Sequence, residues 1–414
     1  MRPPLPLLLL VSLAAYGAET AVPVSTLLDE ASRNNPEILA ARRGWQAAAQ
    51  VPSQVSTMPD PQVTLQHLSV GSPRPFAGYS NSDFAYIGLG ISQDLPYPGK
   101  LKLKGEAAQR DAAIARQRLE SVTRSILQQV KDTYFQLAYI QETLTVIDRN
   151  DKLLEQLERI ADARYRVGQG NQQDVLKTQL ERTKLQREVV HHHDIMQTQQ
   201  ALLRKLLNRP SGSPDITVET LVETPISVGV DALLARIRTQ NPDVASQEEM
   251  INRGGLQVEI ARKDRYPDFS VQYMWQHTGE SFRDYYLVSF SARLPIYRSR
   301  KLNPEMTQAV EELNKSKRDY EAQVQSAFFD VRSQYIAAET ASQMLKIYRE
   351  GLIPQALATY QSGLAAYQTG RQDFETLLSA FMDVLNFDEE YWKALSEHES
   401  ALSRIEQLTG VSIR

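Results

Sequence analysis

The chain has 414 residues, 46 Lys and Arg against 50 Asp and Glu, a net charge of -4 and no cysteine. After the N-terminus no run approaches the roughly 18 consecutive apolar residues that a spanning helix needs, so a membrane crossing has to use strands. The missing cysteine excludes disulfides, thiol nucleophiles, thiolate metal sites and an N-terminal lipid-modified cysteine, and the small, distributed charge leaves no basic footprint for nucleic acid.

Arg2, an apolar stretch from Leu5 to Ala15 and the small residues Gly17 and Ala18 have the layout of a cleavable secretory signal, expected over residues 1–18. The rest of the chain reads as a duplication. Asn35-Pro36 returns as Asn241-Pro242, Pro59-Asp60 as Pro267-Asp268, Leu95-Pro96 as Leu294-Pro295, and Tyr165 to Gly168 as Tyr367 to Gly370. A first repeat is expected over 19–208 and a second over 231–414. Between them, 209–230 holds three prolines and little periodicity, and reads as a linker.

Each repeat begins with a helix of moderate length, over about 24–54 and about 231–265, and continues with two segments of period two. Phe269, Val271, Tyr273 and Trp275 alternate with Ser270, Gln272 and Gln276, and Tyr286, Val288, Phe290 and Ala292 with Ser289, Ser291 and Arg293. Ala85, Ile87, Leu89 and Ile91 do the same against Tyr86, Gly88, Gly90 and Ser92, while in the looser segment 62–70 Val63 and Leu65 share a face with His67. Strands of this length and pattern suit either a transmembrane barrel or a half-buried sheet, and four strands cannot close a barrel alone. Trp275, Tyr285 and Tyr286 are candidates for an interfacial aromatic belt.

Very long helices come next, over about 101–167 and 306–367, with Pro354 expected to kink the second. Leu119, Val122, Ile126, Val130, Tyr134, Leu137, Leu144, Ile147, Leu154, Leu157, Ala161 and Tyr165 form a heptad-like seam. Each long helix ends at a glycine with a capping candidate just beyond it, Gly168 with Asn171 and Gly370 with Asp373, so the chain reverses at two equivalent tips. The predicted fold class is therefore mainly α with a small membrane β part, in two tandem repeats of helix, β-hairpin, long coiled-coil helix and returning helix.

The strings Arg164-Tyr-Arg-Val-Gly-Gln-Gly-Asn-Gln-Gln-Asp174, Leu352-Ile-Pro-Gln-Ala356 and Tyr367-Gln-Thr-Gly370 resemble the outer membrane efflux proteins of the TolC type, and the resemblance runs through both repeats. Leu95-Pro-Tyr-Pro-Gly-Lys100-Leu101 looks like the heavy-metal (CusC/CzcC-like) branch of the resistance-nodulation-division exporters. The resemblance implies a homotrimer in outer membrane lipid, with a twelve-stranded barrel continued by a helical tunnel. It also implies docking of a periplasmic adaptor (membrane fusion) protein and an inner-membrane pump. Carried over by position, Val167, Gly168, Asn171, Thr369, Gly370 and Asp373 lie at the adaptor-facing tips, and Tyr367 with Asp174 matches a gate. Glu375 is a further mouth-lining candidate, while Thr376 and Ser379 stand where relatives commonly carry acidic residues.

His191, His192 and His193 invite a metal reading, but consecutive helical residues point about 100° apart, so a solvated helix face is expected and no metal site. The chain lacks a phosphate-binding glycine loop, His-Glu-x-x-His and Gly-x-Ser-x-Gly; no catalytic site and no cofactor are expected. The function implied is a passive export duct, with heavy-metal cations as the expected solute. Two alternatives stay open: a duct for type I protein secretion, and a soluble periplasmic coiled-coil scaffold or adaptor.

Overall fold

The computed structural model describes residues 21–279, 281 and 283–413. The expected signal segment 1–18 lies outside the described residues. The first repeat runs through α1 (Val24–Asn34), α2 (Pro36–Ala48), α3 (Val51–Ser56), β1 (Gln62–Leu68), β2 (Tyr86–Leu95), α4 (Lys100–Arg166) and α5 (Gln172–Leu207). The second runs through α6 (Val230–Gln240), α7 (Pro242–Lys263), β3 (Asp268–His277), β4 (Tyr285–Arg293), α8 (Asn303–Ile347), α9 (Ile353–Gln368) and α10 (Phe374–Thr409).

The opening helix of each repeat is broken where a single helix was expected, and the repeated Asn-Pro pair is the cause. Proline at the first helical position needs no amide partner, and the asparagine before it caps the new helix. The Asn35 carboxamide oxygen accepts from Glu37 N at 2.9 Å and Ile38 N at 3.2 Å, while its nitrogen donates to Leu206 O at 2.8 Å. Asn241 does the same with Asp243 N at 2.9 Å, Val244 N at 3.0 Å and Leu408 O at 3.0 Å. One buried side chain thus starts a helix and ties it to the end of its own repeat, where Asn208 and Gly410 turn left-handed.

Helix α4 holds 67 residues, which at 1.5 Å each makes a rod of roughly 100 Å. Along its seam Ile126, Val130, Tyr134, Leu137, Ile147, Leu154, Leu157 and Ala161 are buried; Tyr165, at the end, is exposed. The counterpart in the second repeat breaks earlier than Pro354. A π-helical turn over Tyr348–Leu352 separates α8 from α9, and Pro354 sits in the first turn of α9, where its missing amide is tolerated. The return helices α5 and α10 have 36 residues each.

The strands form one antiparallel sheet in the order β1-β2-β3-β4, so the two repeats meet at its centre. The pairing lines up Val63, Ile91, Tyr273 and Val288 in one row and Leu65, Leu89, Trp275 and Tyr286 in the next. This face is apolar, and every residue named in the two rows except Trp275 is exposed. The other face carries Thr64, Gly90, Met274 and Leu287, then Gln66, Gly88, Gln276 and Tyr285. Tyr285 therefore lies opposite Tyr286 and Trp275 and cannot share a belt with them, because neighbouring strand residues point to opposite faces.

Apolar burial is concentrated in the helices. One core gathers Leu27, Ile38, Phe135, Leu137, Leu203 and Leu207, and a second toward the tips gathers Leu154, Leu157, Tyr360, Tyr367, Leu377 and Phe381. The linker is packed: Ile216 N and O bond the buried Gln200 amide at 3.0 and 2.8 Å, and Thr224 N donates to Glu399 at 2.7 Å.

Candidate functional site: the two helical tips

The same backbone turn ends both long helices. Gly168 N donates to Tyr165 O and Gly370 N to Tyr367 O, each at 3.0 Å, and the next amides, of Gln169 and Arg371, reach Arg164 O at 2.8 Å and Ala366 O at 2.9 Å. The glycines hold φ of 72° and 75°, a left-handed conformation in which any Cβ is strained, which is why glycine stands at both reversals.

The caps beyond the two turns differ. Asp373 accepts from Thr376 N at 2.9 Å and from the Thr376 hydroxyl at 2.8 Å, and the Thr376 amide holds its carboxyl below the usual range. Asn171 makes no side-chain bond to the amides of α5, contrary to its expected capping role. Thr376 is thereby absorbed into the cap of α10. Val167, Gly168, Asn171, Thr369, Gly370 and Asp373 are all exposed at the ends of the hairpins.

Equivalent positions in the two tips have opposite fates. Tyr165 is 45% exposed, whereas Tyr367 is 2% exposed. The Tyr367 hydroxyl donates to Asp174 Oδ2 at 3.0 Å, joining the end of α9 to the first turn of α5. Its ring meets Phe374 edge-on at 5.5 Å and lies 4.6 Å from the Arg164 guanidinium, a cation-π distance. Arg164 also donates to Tyr367 O, and to Gln169 O at 2.9 Å. Burial, with the Asp174 carboxylate beside it, pushes the Tyr367 phenol up to about 12, so the donor stays protonated. Asp174 gains from the positive end of α5.

Lys177 and Glu375 form a second bridge between the hairpins at 3.1 Å. Together these groups line a polar cleft of about 470 Å³ between the tips. Tyr367, Asp174 and Glu375 are thus brought together, and Arg164, Lys177 and Phe374 complete the cluster. Sequence reasoning passed over these three, since nothing in the order of residues tells that α4 and α5 face α9 and α10 here.

The histidine run is not a uniformly solvated face. His191 and His193 are exposed, but His192 is buried against Tyr139, with ring centroids 6.3 Å apart, and its Nε2 lies 3.7 Å from Glu389. Burial lowers its imidazole below the ordinary value. Among the described residues no three His, Asp or Glu side chains gather to hold a metal ion.

A sheet with an exposed apolar face, continued by helical hairpins of great length and joined at their far ends by polar contacts, is the build of an outer-membrane channel with a helical periplasmic part. Residues 27–209 and 233–411 each match the outer membrane efflux protein family, and the chain belongs to that family. It is 23% identical over 331 residues, 75% of this chain and 70% of the relative, to the pyoverdine export outer membrane protein OpmQ of Pseudomonas putida. Among solved structures, CusC superposes with a TM-score of 0.80 at 16% identity, over 94% of this chain and 92% of that one. The outer membrane protein VceC of Vibrio cholerae superposes at 0.79 and 17% identity, over 94% and 97%. These relatives are channel proteins, and the scaffold alternative falls with the family assignment.

Proposed function

We propose that three copies of this chain assemble into a passive export duct. Their sheets make a twelve-stranded barrel in the outer membrane, and their helices make a periplasmic tunnel that meets an adaptor protein and an inner-membrane pump at the tips. The observation that carries this reading is the sheet. Its exposed face is apolar across all four strands, its opposite face mixes Thr64, Gln66, Gln276 and the glycines Gly88 and Gly90 with Met274, Leu287 and Tyr285, and both outer strands have open edges, which hydrocarbon does not tolerate until they are paired.

The tip cluster is the gate of this duct. Tyr367, Asp174, Arg164 and the Lys177–Glu375 bridge hold the two hairpins together, and an adaptor that engages Val167, Gly168, Asn171, Thr369, Gly370 and Asp373 draws them apart. Such a gate needs no reaction. It needs only a partner that binds the separated tips better than the joined ones. Type I protein secretion would use the same duct; its adaptor and pump would differ.

For the cargo, the Leu95–Leu101 string favours heavy-metal cations, and the name of OpmQ favours an organic solute such as pyoverdine. Deleting the gene and measuring growth on graded copper, zinc and cadmium separates them. Sensitivity to metal that the intact gene reverses supports the first; unchanged tolerance with loss of an exported organic compound supports the second.

A further inference from the structure

The two hairpins are tied together at the tips and again along their length, and one of the upper ties is incomplete. Lys131 of α4 bonds Glu406 of α10, and Arg149 of α4 bonds Asp388 of α10. Between them the Tyr139 hydroxyl donates to Glu389 Oε1 at 3.4 Å. His192 of α5 approaches the same Glu389 oxygen over the Tyr139 ring, but its Nε2 stops 3.7 Å away, beyond hydrogen-bond reach.

The other ring nitrogen fares no better. The His192 side chain is 7% exposed, and its Nδ1 is buried with no hydrogen-bond partner among the described residues. A buried polar atom that forgoes its bond costs about 1–3 kcal/mol, a cost an apolar side chain in the same place would escape. An imidazole held with neither nitrogen satisfied is an unfinished contact.

The groups that face the ring decide what completes it. Glu389 comes from α10, Tyr139 from α4, and Glu188 and His191 stand on α5 itself, with Glu397 of α10 behind the Tyr139 hydroxyl. Tyr139 stays protonated, its phenol pushed up to about 12 by burial and Glu389. For His192 burial weighs most and holds the imidazole below its ordinary value, against the pull of Glu389 and Glu188, so the ring is neutral at neutral pH. Acid puts an N–H on both nitrogens and turns Nε2–H into a charged donor in front of a carboxylate. Closing the gap to a charge-assisted bond of about 2.8 Å takes a movement of about 1 Å, within reach of a rotation of the partly exposed Glu389 side chain.

We propose that His192 is an acid-operated latch: on taking up a proton it pairs with Glu389, ties α5 to α10 across α4, and holds the two hairpins together well above the tips. His192 stands about 20 residues into α5, which starts at Gln172, and so about 30 Å from the tip turn. A tie at that height opposes the separation of hairpins that opening at Tyr367 and Asp174 requires, so acid shuts the duct more firmly. The latch rests on the gate proposed above and adds to it a control by pH.

Two readouts test it. Thermal melts of the detergent-extracted parent, His192→Gln, Glu389→Gln and the double variant, at pH 5 and pH 8, read the pairing without reference to the duct. At pH 5 the melting temperature lost by Glu389→Gln should shrink when Gln already stands at 192, whereas at pH 8 the two changes should add. Bilayer recording in a Tyr367→Phe background, where the open fraction is large enough for a fall to be seen, reads the regulation. Acidification should lower the open probability several-fold with His192 in place, and clearly less with His192→Gln or Glu389→Gln. Additive changes at pH 5 overturn the pair. Coupled changes at pH 5 with an acid response that His192→Gln leaves intact, or with an open probability that rises in acid, overturn the latch and leave the gate standing. Channels that do not respond to Tyr367→Phe, or no pores in any variant, overturn the gate itself and its regulation with it.

Discussion

The hydroxyl of Tyr367 donates to Asp174 Oδ2 at 3.0 Å, across from one helical hairpin to the other, while Tyr165 at the equivalent place in the first repeat is exposed. Of two chemically similar tips, one makes this contact between hairpins and the other does not.

Under the gate proposed above, removing this contact should loosen the tips without unfolding the chain. A hydrogen bond to a carboxylate is worth about 1.5–3 kcal/mol. Tyr367→Phe removes the donor and should raise the resting open probability by roughly ten-fold or more; Asp174→Asn keeps an accepting oxygen and loses only the charge, so its effect should be smaller, and the double variant should add little to Tyr367→Phe. Single-channel recording checks it. Because the phenol is raised to about 12, its contribution is complete below the ordinary phenol range and is lost only as pH rises through that value, so gating should not respond to Tyr367 at neutral pH.

Asp132 on α4 gives a pH effect in an accessible window. Burial raises its carboxyl to about 6, against opposing bonds from Gln128 and Ser400 and the charges of Arg404 and Lys131. With the folded value above the unfolded one, the favourable term is present below about pH 4 and lost as pH rises through about 6, so the ionised group burdens the fold at pH 8. Asp132→Asn should therefore stabilise by about 1–3 kcal/mol at pH 8 and leave stability at pH 4 nearly unchanged, as read by thermal melts at both pH values.

The two Asn-Pro corners should cost alike and independently. Asn35→Ala and Asn241→Ala each remove a helix cap and strand a buried carbonyl, of Leu206 and Leu408, for a loss of about 2–4 kcal/mol each. They belong to different repeats, so the losses should add in denaturant unfolding.

Much of this was legible in sequence because duplication prints its landmarks twice. The hairpins, the long helices and the glycine reversals at Gly168 and Gly370 each come from local rules of period or φ. The Asn-Pro pair was visible too, but its meaning was not. That Asn35 bonds Leu206, far along the chain, is a fact of packing that no local rule encodes. The same holds for Arg164, whose target is a ring two hundred residues away, and for His192, buried because Tyr139 of the neighbouring helix covers it. Asn171 is the reverse case: a good capping residue by type, left uncapping because its side chain does not reach the amides of α5.

At the tips, surface substitutions should separate docking from gating. Val167→Asp and Thr369→Arg are exposed and outside the Tyr367 cluster. Each should weaken capture of the cognate adaptor while leaving channel conductance and oligomeric mass as in the parent, checked by pull-down and bilayer recording side by side.

The most direct measurement is planar-bilayer conductance of the detergent-extracted protein together with its mass, for the parent chain and for Tyr367→Phe. The account predicts a trimer with small, mostly closed conductance that opens in the variant. A trimer whose conductance is unaltered by Tyr367→Phe would contradict the gate, and a species that forms no pores in either form would contradict the duct.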